Sequence, residues 1–188
     1  MTTDPDDREL WSQTGFGVLF DRHARAVYNH CFRLTASWAA AEDHVQTTFL
    51  TAWRKRDQVR IEQDSALPWL LAVATNVVRN DRRSVLRKLR LFRRVATETT
   101  VPDHADDVAG RVDDQRQMSI VLAAVNRLPR NQREALALCV WSGISYPEAA
   151  AALGITEGSV RARVSKAKSR LTELLATEQQ VVTVVEGR

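Results

Sequence analysis

The chain has 188 residues, of which 44 % are hydrophobic and 27 % charged, and its formal net charge is +4. This length allows one or two small domains with real cores, and the modest charge excludes a general polycation. The two cysteines lie far apart in apolar settings, which favours buried, reduced thiols over a disulfide framework. There is no membrane-length apolar run and the first residues are polar and acidic, so we expect a cytoplasmic protein without a signal peptide.

Three segments with helical periodicity occupy the first half of the chain, after a polar start. They begin near Phe16, cover about Trp38–Lys55, and begin again near Leu67. Residues 56–65 interrupt the pattern and predict a polar loop. The third segment runs into residues 79–94, where eight side chains are basic and one is acidic, a distribution typical of nucleic-acid binding. Together the segments predict one helical domain over residues 9–95.

The composition changes after this basic patch. Residues 96–111 are rich in Thr and Asp and have no helical stripe, so they are interpreted as a flexible acidic linker. A coil of this length has an end-to-end distance of roughly 20–25 Å. Helical periodicity returns from residue 112 and predicts a second domain over 112–177. Residues 178–188 contain VVTVV, which favours a strand, but a lone strand has no partner and we expect a loose tail.

The stretch from Leu128 to Leu175 carries strong local signals. Pro129 suits a helix start, Gly143 and Gly154 suit helix ends, and Ser145 stands three residues before Glu148, as in a capping box. These signals divide the stretch into three helices: about Arg130–Trp141, Tyr146–Leu153, and a last helix that Thr156 caps. The chain is therefore predicted to be all-α, with two small helical domains.

The last of these helices has two different faces. Its apolar residues recur at spacings of 4, 3, 4 and 3, which predicts a buried stripe. The opposite face has small residues flanked by arginine and lysine, and no acidic residue lies between Ser159 and Thr172. A short helix, a glycine turn and a basic helix are typical of a helix-turn-helix, in which small side chains allow close approach to the major groove. The alternative is a solvated basic face on an ordinary helical bundle.

Two polar features of the first domain are open to two interpretations each. Glu42, Asp43 and Gln46 form an acidic strip beside aromatic residues, which is either a solvated face or a contact surface. The third helix carries a mixture of amide and guanidinium groups, which can contact bases and phosphates, or can simply suit the C-terminal end of a helix. The residues that carry these amide and guanidinium groups are Asn76, Arg79, Asn80, Arg82 and Arg83.

The stretches AEDHVQTTFLTAWR, PWLLAVATNVVRNDRRS and LPRNQREALALCVWSGISYPEAAAALGITEGSVRARVSKAKSRLTELL follow one another with the acidic linker before the last. This arrangement, over about residues 16–175, resembles bacterial RNA polymerase sigma factors of the extracytoplasmic-function class. The resemblance implies a non-enzymatic, cofactor-free specificity subunit that directs core polymerase to promoters and nucleates their opening. Its implied partners are promoter DNA, the clamp helices of the largest polymerase subunit, the polymerase flap region and an anti-sigma protein, without a membrane.

The resemblance also implies roles for individual residues. Core polymerase binding falls to Asp43, Gln46 and Thr47. Recognition of the minus-10 element falls to Asn76, Arg79, Asn80, Arg82 and Arg83, and residues 56–65 resemble the segment that captures a flipped base. Recognition of the minus-35 element falls to Thr156, Ser159, Arg161, Ala162, Arg163, Ser165, Lys166, Lys168 and Arg170. Among these, Arg161, Ala162, Ser165 and Lys166 are expected to face bases, and Arg163, Lys168 and Arg170 to hold phosphates.

Two other classes of function are open on the sequence alone. One is a self-sufficient helix-turn-helix regulator with an N-terminal effector domain, which would bind a palindromic operator as a dimer without polymerase. The other is a helical enzyme or metal site built from His23, His30, His44 and Cys31, although no carboxylate pair accompanies them. Thiol sensing by Cys31 or Cys139 is not favoured, because no basic neighbour clearly activates either.

Overall fold

The computed structural model describes the backbone of residues 13–56, 65–95 and 114–186, and the side chains of 15–56, 65–90 and 120–176. Every regular element in these ranges is helical, which confirms the predicted all-α class. The chain divides into two compact units, Met1–Asp106 and Asp107–Arg188. The predicted linker, and the predicted loop apart from its two ends, lie outside the described residues.

The described residues of the first unit form three helices: α1 is Gln13–Thr35, α2 is Trp38–Lys55 and α3 is Leu67–Val95. Each packs against the other two. Buried apolar side chains such as Val27, Phe49 and Leu70 come from all three helices. Helical periodicity assigns Ala41, Val45, Thr48, Phe49 and Ala52 to the inner face of α2, and all five are buried.

Polar contacts fix the helices of the first unit at defined points. His30 Nε2 lies 2.9 Å from Thr75 Oγ1, which connects α1 to α3 in the buried interior. Arg82 Nη2 donates to the backbone oxygen of Leu34 near the end of α1. Ser37 caps α2, since its Oγ accepts a hydrogen bond from the backbone nitrogen of Ala40 at 3.3 Å.

In the second unit, the part of the chain that the structure describes forms four helices. They are α4 (Asp114–Asn126), α5 (Arg130–Leu136, which continues as a π-helical turn Ala137–Trp141), α6 (Tyr146–Leu153) and α7 (Glu157–Glu186). Helix α7 packs against α4, α5 and α6. The centre of this packing is a cluster of Leu128, Leu136 and Ala167, against which Trp141, Leu171 and Leu174 lie partly buried.

The helix predicted for Arg130–Trp141 ends differently from a uniform α-helix. Its last turn is π-helical, and Ser142 donates to the backbone oxygen of Ala137, five residues earlier, at 3.1 Å. Gly143 then adopts a positive φ of 68° and ends the element at the predicted position. Sequence spacing gave no sign of the wider turn.

The expectation of a loose, strand-leaning tail is wrong for residues 178–186. Helix α7 continues through them to Glu186. No glycine or proline lies between Ser159 and Glu186, so nothing in the sequence interrupts the backbone ladder. Since a lone strand leaves its backbone groups without partners, continuation of the helix satisfies them within one segment.

Candidate nucleic-acid interface

The turn between α6 and α7 positions the basic helix by capping and backbone geometry. The N-terminus of α6 has a complete capping box, in which Glu148 Oε2 accepts from the backbone nitrogen of Ser145 at 2.9 Å. Gly154 ends α6 with φ at +67°, a conformation that side chains disfavour. Thr156 Oγ1 accepts from the backbone nitrogen of Ser159 at 3.3 Å and so caps α7. The predicted helix-turn-helix is present with these local signals.

Helix α7 separates its apolar stripe from its predicted recognition face. Val160, Val164 and Ala167 are buried. The predicted minus-35 residues lie on the other side of the helix or at its N-terminus. Ser159 and Arg163 are half-buried, and Thr156, Arg161, Ala162, Ser165, Lys166, Lys168 and Arg170 are exposed. The structure therefore gathers these nine residues on and beside one accessible surface.

Arg161 is less free than the sequence suggested. Its Nε and Nη2 atoms both donate to Glu157 Oε1, at 3.2 and 2.5 Å. Its guanidinium carbon lies 4.7 Å from the ring centroid of Tyr146, a cation–π distance. Sequence analysis missed both partners. The spacing of Glu157 and Arg161 by four residues was a detectable signal, whereas contact with Tyr146 depends on how α6 packs against α7.

A groove of about 560 Å³ lies along the predicted base-facing side of α7. Its lining residues are Gln132, Ser165, Lys166, Ser169, Arg170, Glu173 and Leu174. Gln132, from the first turn of α5, contributes a buried Oε1 atom that accepts no hydrogen bond from the residues that the structure describes. The amide of Gln132 is a polar group next to Lys166 that the sequence analysis did not predict.

The predicted minus-10 residues on α3 divide into two groups. Asn76, Asn80 and Arg83 are exposed, and Arg79 is half-buried. Positions 76, 80, 83 and 87 fall on one side of a helix with 3.6 residues per turn, so they form one continuous polar and basic line. Arg82 lies apart from this line, half-buried, and its Nη2 holds the backbone oxygen of Leu34.

The predicted polymerase-binding residues Asp43, Gln46 and Thr47 are all exposed on α2. Asp43 and Thr47 line one groove of about 570 Å³ together with Asn76 and Asn80 of α3. The structure thus brings members of two predicted sites, far apart in sequence, to the same groove. Next to it, His44 Nε2 lies 3.7 Å from Asp81 Oδ2.

Burial controls the ionisation of two histidines of the first unit. At His44, desolvation lowers the pKa below 6.5 more strongly than Asp81 and Asp43 raise it, and Arg82 adds to the lowering. At His23, desolvation is again the largest cause of a lowered pKa, and Arg22 contributes. Both imidazoles are therefore neutral at physiological pH.

The two cysteines have raised thiol pKa values, whereas reactive thiols have lowered ones. Burial raises the pKa of the Cys31 thiol to about 12, and it also raises the pKa of Cys139. Raised values disfavour the thiolate, which is the reactive species. Within the described part of the chain, no group of three or more histidine, cysteine or acidic side chains is placed to hold a metal ion.

Two protein families match the two units. Residues 19–88 match the family described as Sigma-70 region 2, and residues 118–171 match Sigma-70, region 4. The first match contains α2 and most of α3, and the second contains the helix-turn-helix. Among the helices that the structure describes, none combines the length and apolar character needed to cross a membrane.

Similar proteins cover most of the chain. RNA polymerase sigma factor NccH of Alcaligenes xylosoxydans xylosoxydans is 33 % identical over 171 residues, which span 89 % of this chain and 90 % of that protein. The ECF RNA polymerase sigma factor SigL of Mycobacterium tuberculosis is 30 % identical over 155 residues, 78 % of this chain and 81 % of its own length. The sigma factor RpoE of Bartonella quintana, solved in complex with the anti-sigma factor NepR, superposes with a TM-score of 0.69 at 29 % identity, covering 86 % of this chain and 96 % of that chain.

Proposed function

The chain belongs to the extracytoplasmic-function class of RNA polymerase sigma factors and directs RNA polymerase to promoters, and we propose that its two units divide promoter recognition between two elements. Sigma factors are transcription initiation factors rather than enzymes. The polymerase supplies the catalytic centre, and this chain supplies sequence recognition in the cytoplasm, where bacterial transcription takes place. It needs no cofactor for that task.

The second unit reads the minus-35 element with the exposed face of α7. The observation that carries this proposal is the separation of an exposed basic face from a buried apolar stripe on the second helix of a capped helix-turn-helix. Arg161, Ala162, Ser165 and Lys166 face the bases, where arginine and lysine pair with guanine. Arg163, Lys168 and Arg170 neutralise phosphates on either side.

The first unit reads the minus-10 element and nucleates opening with α3. Asn76 and Asn80 offer amides that match adenine, while Arg79 and Arg83 hold the backbone. Arg82 supports this surface indirectly, because it ties α3 to the end of α1. The loop 56–65 receives a base flipped from the non-template strand, at a cost of a few kcal/mol of stacking that the whole complex offsets.

Helix α2 contacts the clamp helices of the largest polymerase subunit through Asp43, Gln46 and Thr47, and the second unit contacts the flap region. All three side chains are exposed and none belongs to the core of the first unit. Asp43→Ala therefore weakens association with core polymerase without unfolding the unit. Asp21→Ala, which removes an exposed carboxylate from α1, serves as the control. Equal binding of both variants to core polymerase contradicts this contact.

An anti-sigma protein is the proposed inhibitory partner. The support is the similar RpoE structure, which was solved with the anti-sigma factor NepR. Co-purification of the full chain from its host, followed by competition with core polymerase, tests for such a protein. A copurifying protein that leaves polymerase binding unchanged counts against this role.

Mapping of transcript start sites made by core polymerase with and without the full chain tests the proposed function as a whole. We expect new start sites preceded by two common elements.

In the same assay Lys166→Ala and Arg161→Ala each weaken use of the preferred promoters by about 1–3 kcal/mol, as expected for a base contact. Lys168→Ala weakens the use of all promoters alike. It also makes the dependence of the logarithm of the binding constant on the logarithm of the salt concentration shallower by about 1, as expected for a phosphate contact. Unchanged transcription with Lys166→Ala and Arg161→Ala contradicts the base-facing assignment.

A further inference from the structure

The guanidinium of Arg161 is held by both helices of the helix-turn-helix. On α7, Glu157 Oε1 accepts from its Nε and Nη2 atoms at 3.2 and 2.5 Å. From α6, Tyr146 lies under its face, with 4.7 Å between the ring centroid and the guanidinium carbon. Glu157 also opens α7, where a negative charge is favoured by the helix dipole. The position of Arg161 is therefore fixed before DNA is bound.

Holding Arg161 in place before DNA binds matters because an exposed arginine without partners samples many rotamers. Its side chain is 63 % exposed, and long side chains lose rotamer entropy when they are ordered in a complex. A guanidinium that is already stacked and paired loses less of that entropy on binding. This advantage applies only to contacts that fit the fixed orientation, so it favours one binding geometry over others.

The pairing also selects which donors of Arg161 remain available. Glu157 occupies the edge formed by Nε and Nη2, and no hydrogen bond among the described residues uses Nη1. The end formed by Nη1 and the second N–H of Nη2 stays open, and two parallel donors of this kind match O6 and N7 of guanine. The occupied edge would otherwise suit bidentate binding of a phosphate, which carries no sequence information.

We propose that Glu157 is a specificity-determining residue, which acts by holding Arg161 so that its free end contacts a guanine in the minus-35 element rather than a phosphate. Glu157 is a positioning residue in this role, because it works through Arg161. The inference rests on the proposed binding of α7 to that element and adds to it the base, the donor atoms and the residue that selects them.

The experiment is a selection by holoenzyme, reconstituted from core polymerase and the full chain, on promoter duplexes randomised over the upstream element. The wild-type chain is compared with Glu157→Gln, Arg161→Ala and the double variant. We expect the wild type to prefer guanine at one position and Glu157→Gln to reduce that preference by about five-fold or more. Glu157→Gln should have no further effect once Arg161 is alanine. Glu178→Gln, the same charge change farther along α7, should leave the preference intact.

The possible outcomes separate this inference from the proposed function. If the wild-type holoenzyme selects no upstream element, the proposed function of α7 fails. If it selects one and Glu157→Gln shows the same base preferences, the inference is overturned while the proposed function stands. A uniform loss across all sequences with Glu157→Gln also overturns it, because that result indicates only a role in helix stability.

Discussion

Arg133 shows how one buried cation organises the second unit. It lies on α5 with only 7 % of its surface exposed. Its Nη1 donates to Asn126 Oδ1 at 2.8 Å, and its Nη2 donates to the backbone oxygens of Asn126 and of Leu128, the latter at 3.3 Å. These oxygens lie at the end of α4 and in the turn that follows, where backbone groups have no partner within the helix. Arg133 therefore fixes the corner between α4 and α5.

Replacing this side chain tests its structural role. We expect Arg133→Ala to lower the free energy of unfolding of the second unit by about 1.5–3 kcal/mol, because charged hydrogen bonds to otherwise unpaired oxygens are lost. Arg170→Ala is the matched control, since Arg170 is exposed and its loss should cost no more than about 0.5 kcal/mol. Urea denaturation of the full chain measures both. Equal stability of the two variants contradicts the role assigned to Arg133.

The two neutral histidines of the first unit predict a pH dependence of its stability. Burial lowers the pKa of His23 and of His44 below 6.5 in the folded chain. Below pH 6.5 the unfolded chain therefore binds more protons than the folded chain, so stability is fully present above pH 6.5 and falls as the pH drops through that value. Urea denaturation between pH 7.5 and 5.5 measures the loss.

Asp81 provides the matching variant for this measurement. Its carboxylate raises the pKa of His44 against the larger effect of desolvation. Asp81→Asn should therefore lower the pKa of His44 further and extend the loss of stability to lower pH. A first unit that is equally stable at pH 5.5 and 7.5, in the wild type and in this variant, would show that burial of the two histidines does not control its stability.

At the scale of elements, local signals in the second unit decide where helices begin and end. The capping box at Ser145 and the left-handed backbone at Gly154 bracket α6. Only Gly154, Ile155 and Thr156 lie between α6 and α7, so the angle between the two helices depends on this turn. The predicted recognition face of α7 is accessible because the apolar stripe of this helix is buried against α4, α5 and α6.

Two glycines in this region should respond in opposite ways to the same substitution. Gly154→Ala should destabilise the second unit by about 1–2 kcal/mol, because its φ of +67° is unfavourable for a residue with a Cβ atom. Gly158→Ala should stabilise it by about 0.5–1 kcal/mol, because Gly158 lies within α7 with open space around the added carbon. Thermal unfolding measures the melting temperatures of both variants. A shift of both melting temperatures in the same direction contradicts the predicted difference between the two glycines.

At the scale of the whole molecule, the proposed function assigns two separate DNA elements to the two units of one chain. A single small DNA-binding module makes an interface of roughly 600–1,000 Å², which gives modest affinity by itself. Tethering raises the effective concentration of the second contact to the order of millimolar once the first is made. We therefore expect the covalent connection between the units to contribute to promoter selection.

Separating the units tests this contribution. We expect fragments 9–95 and 112–188 each to unfold cooperatively, because each unit has its own buried core. Mixed at equal concentration with core polymerase, they should redirect transcript start sites far less well than the full chain. If the unlinked pair supports transcription as well as the full chain at micromolar concentration, tethering is not required.

Much of this protein follows from its sequence, because the signals involved are local. Helix periodicity predicted the bounds of α2, and capping residues and glycines predicted the bounds of α6 and the turns around it. The family resemblance, and with it promoter recognition by a sigma factor, is also carried by contiguous stretches of residues. Even the pairing of Glu157 with Arg161 could be predicted from the sequence, because the two residues lie four positions, about one helical turn, apart.

Only the tertiary structure decided which polar side chains are occupied and which surfaces meet. In the sequence, nothing distinguishes Arg82 and Arg133 from exposed arginines. In the structure, each donates a hydrogen bond to a backbone oxygen of another helix or turn. The stacking of Tyr146 on Arg161, and the groove shared by α2 and α3, join residues that are distant along the chain. Such contacts depend on how helices pack, and packing is decided by the summed burial of many apolar side chains rather than by any short pattern.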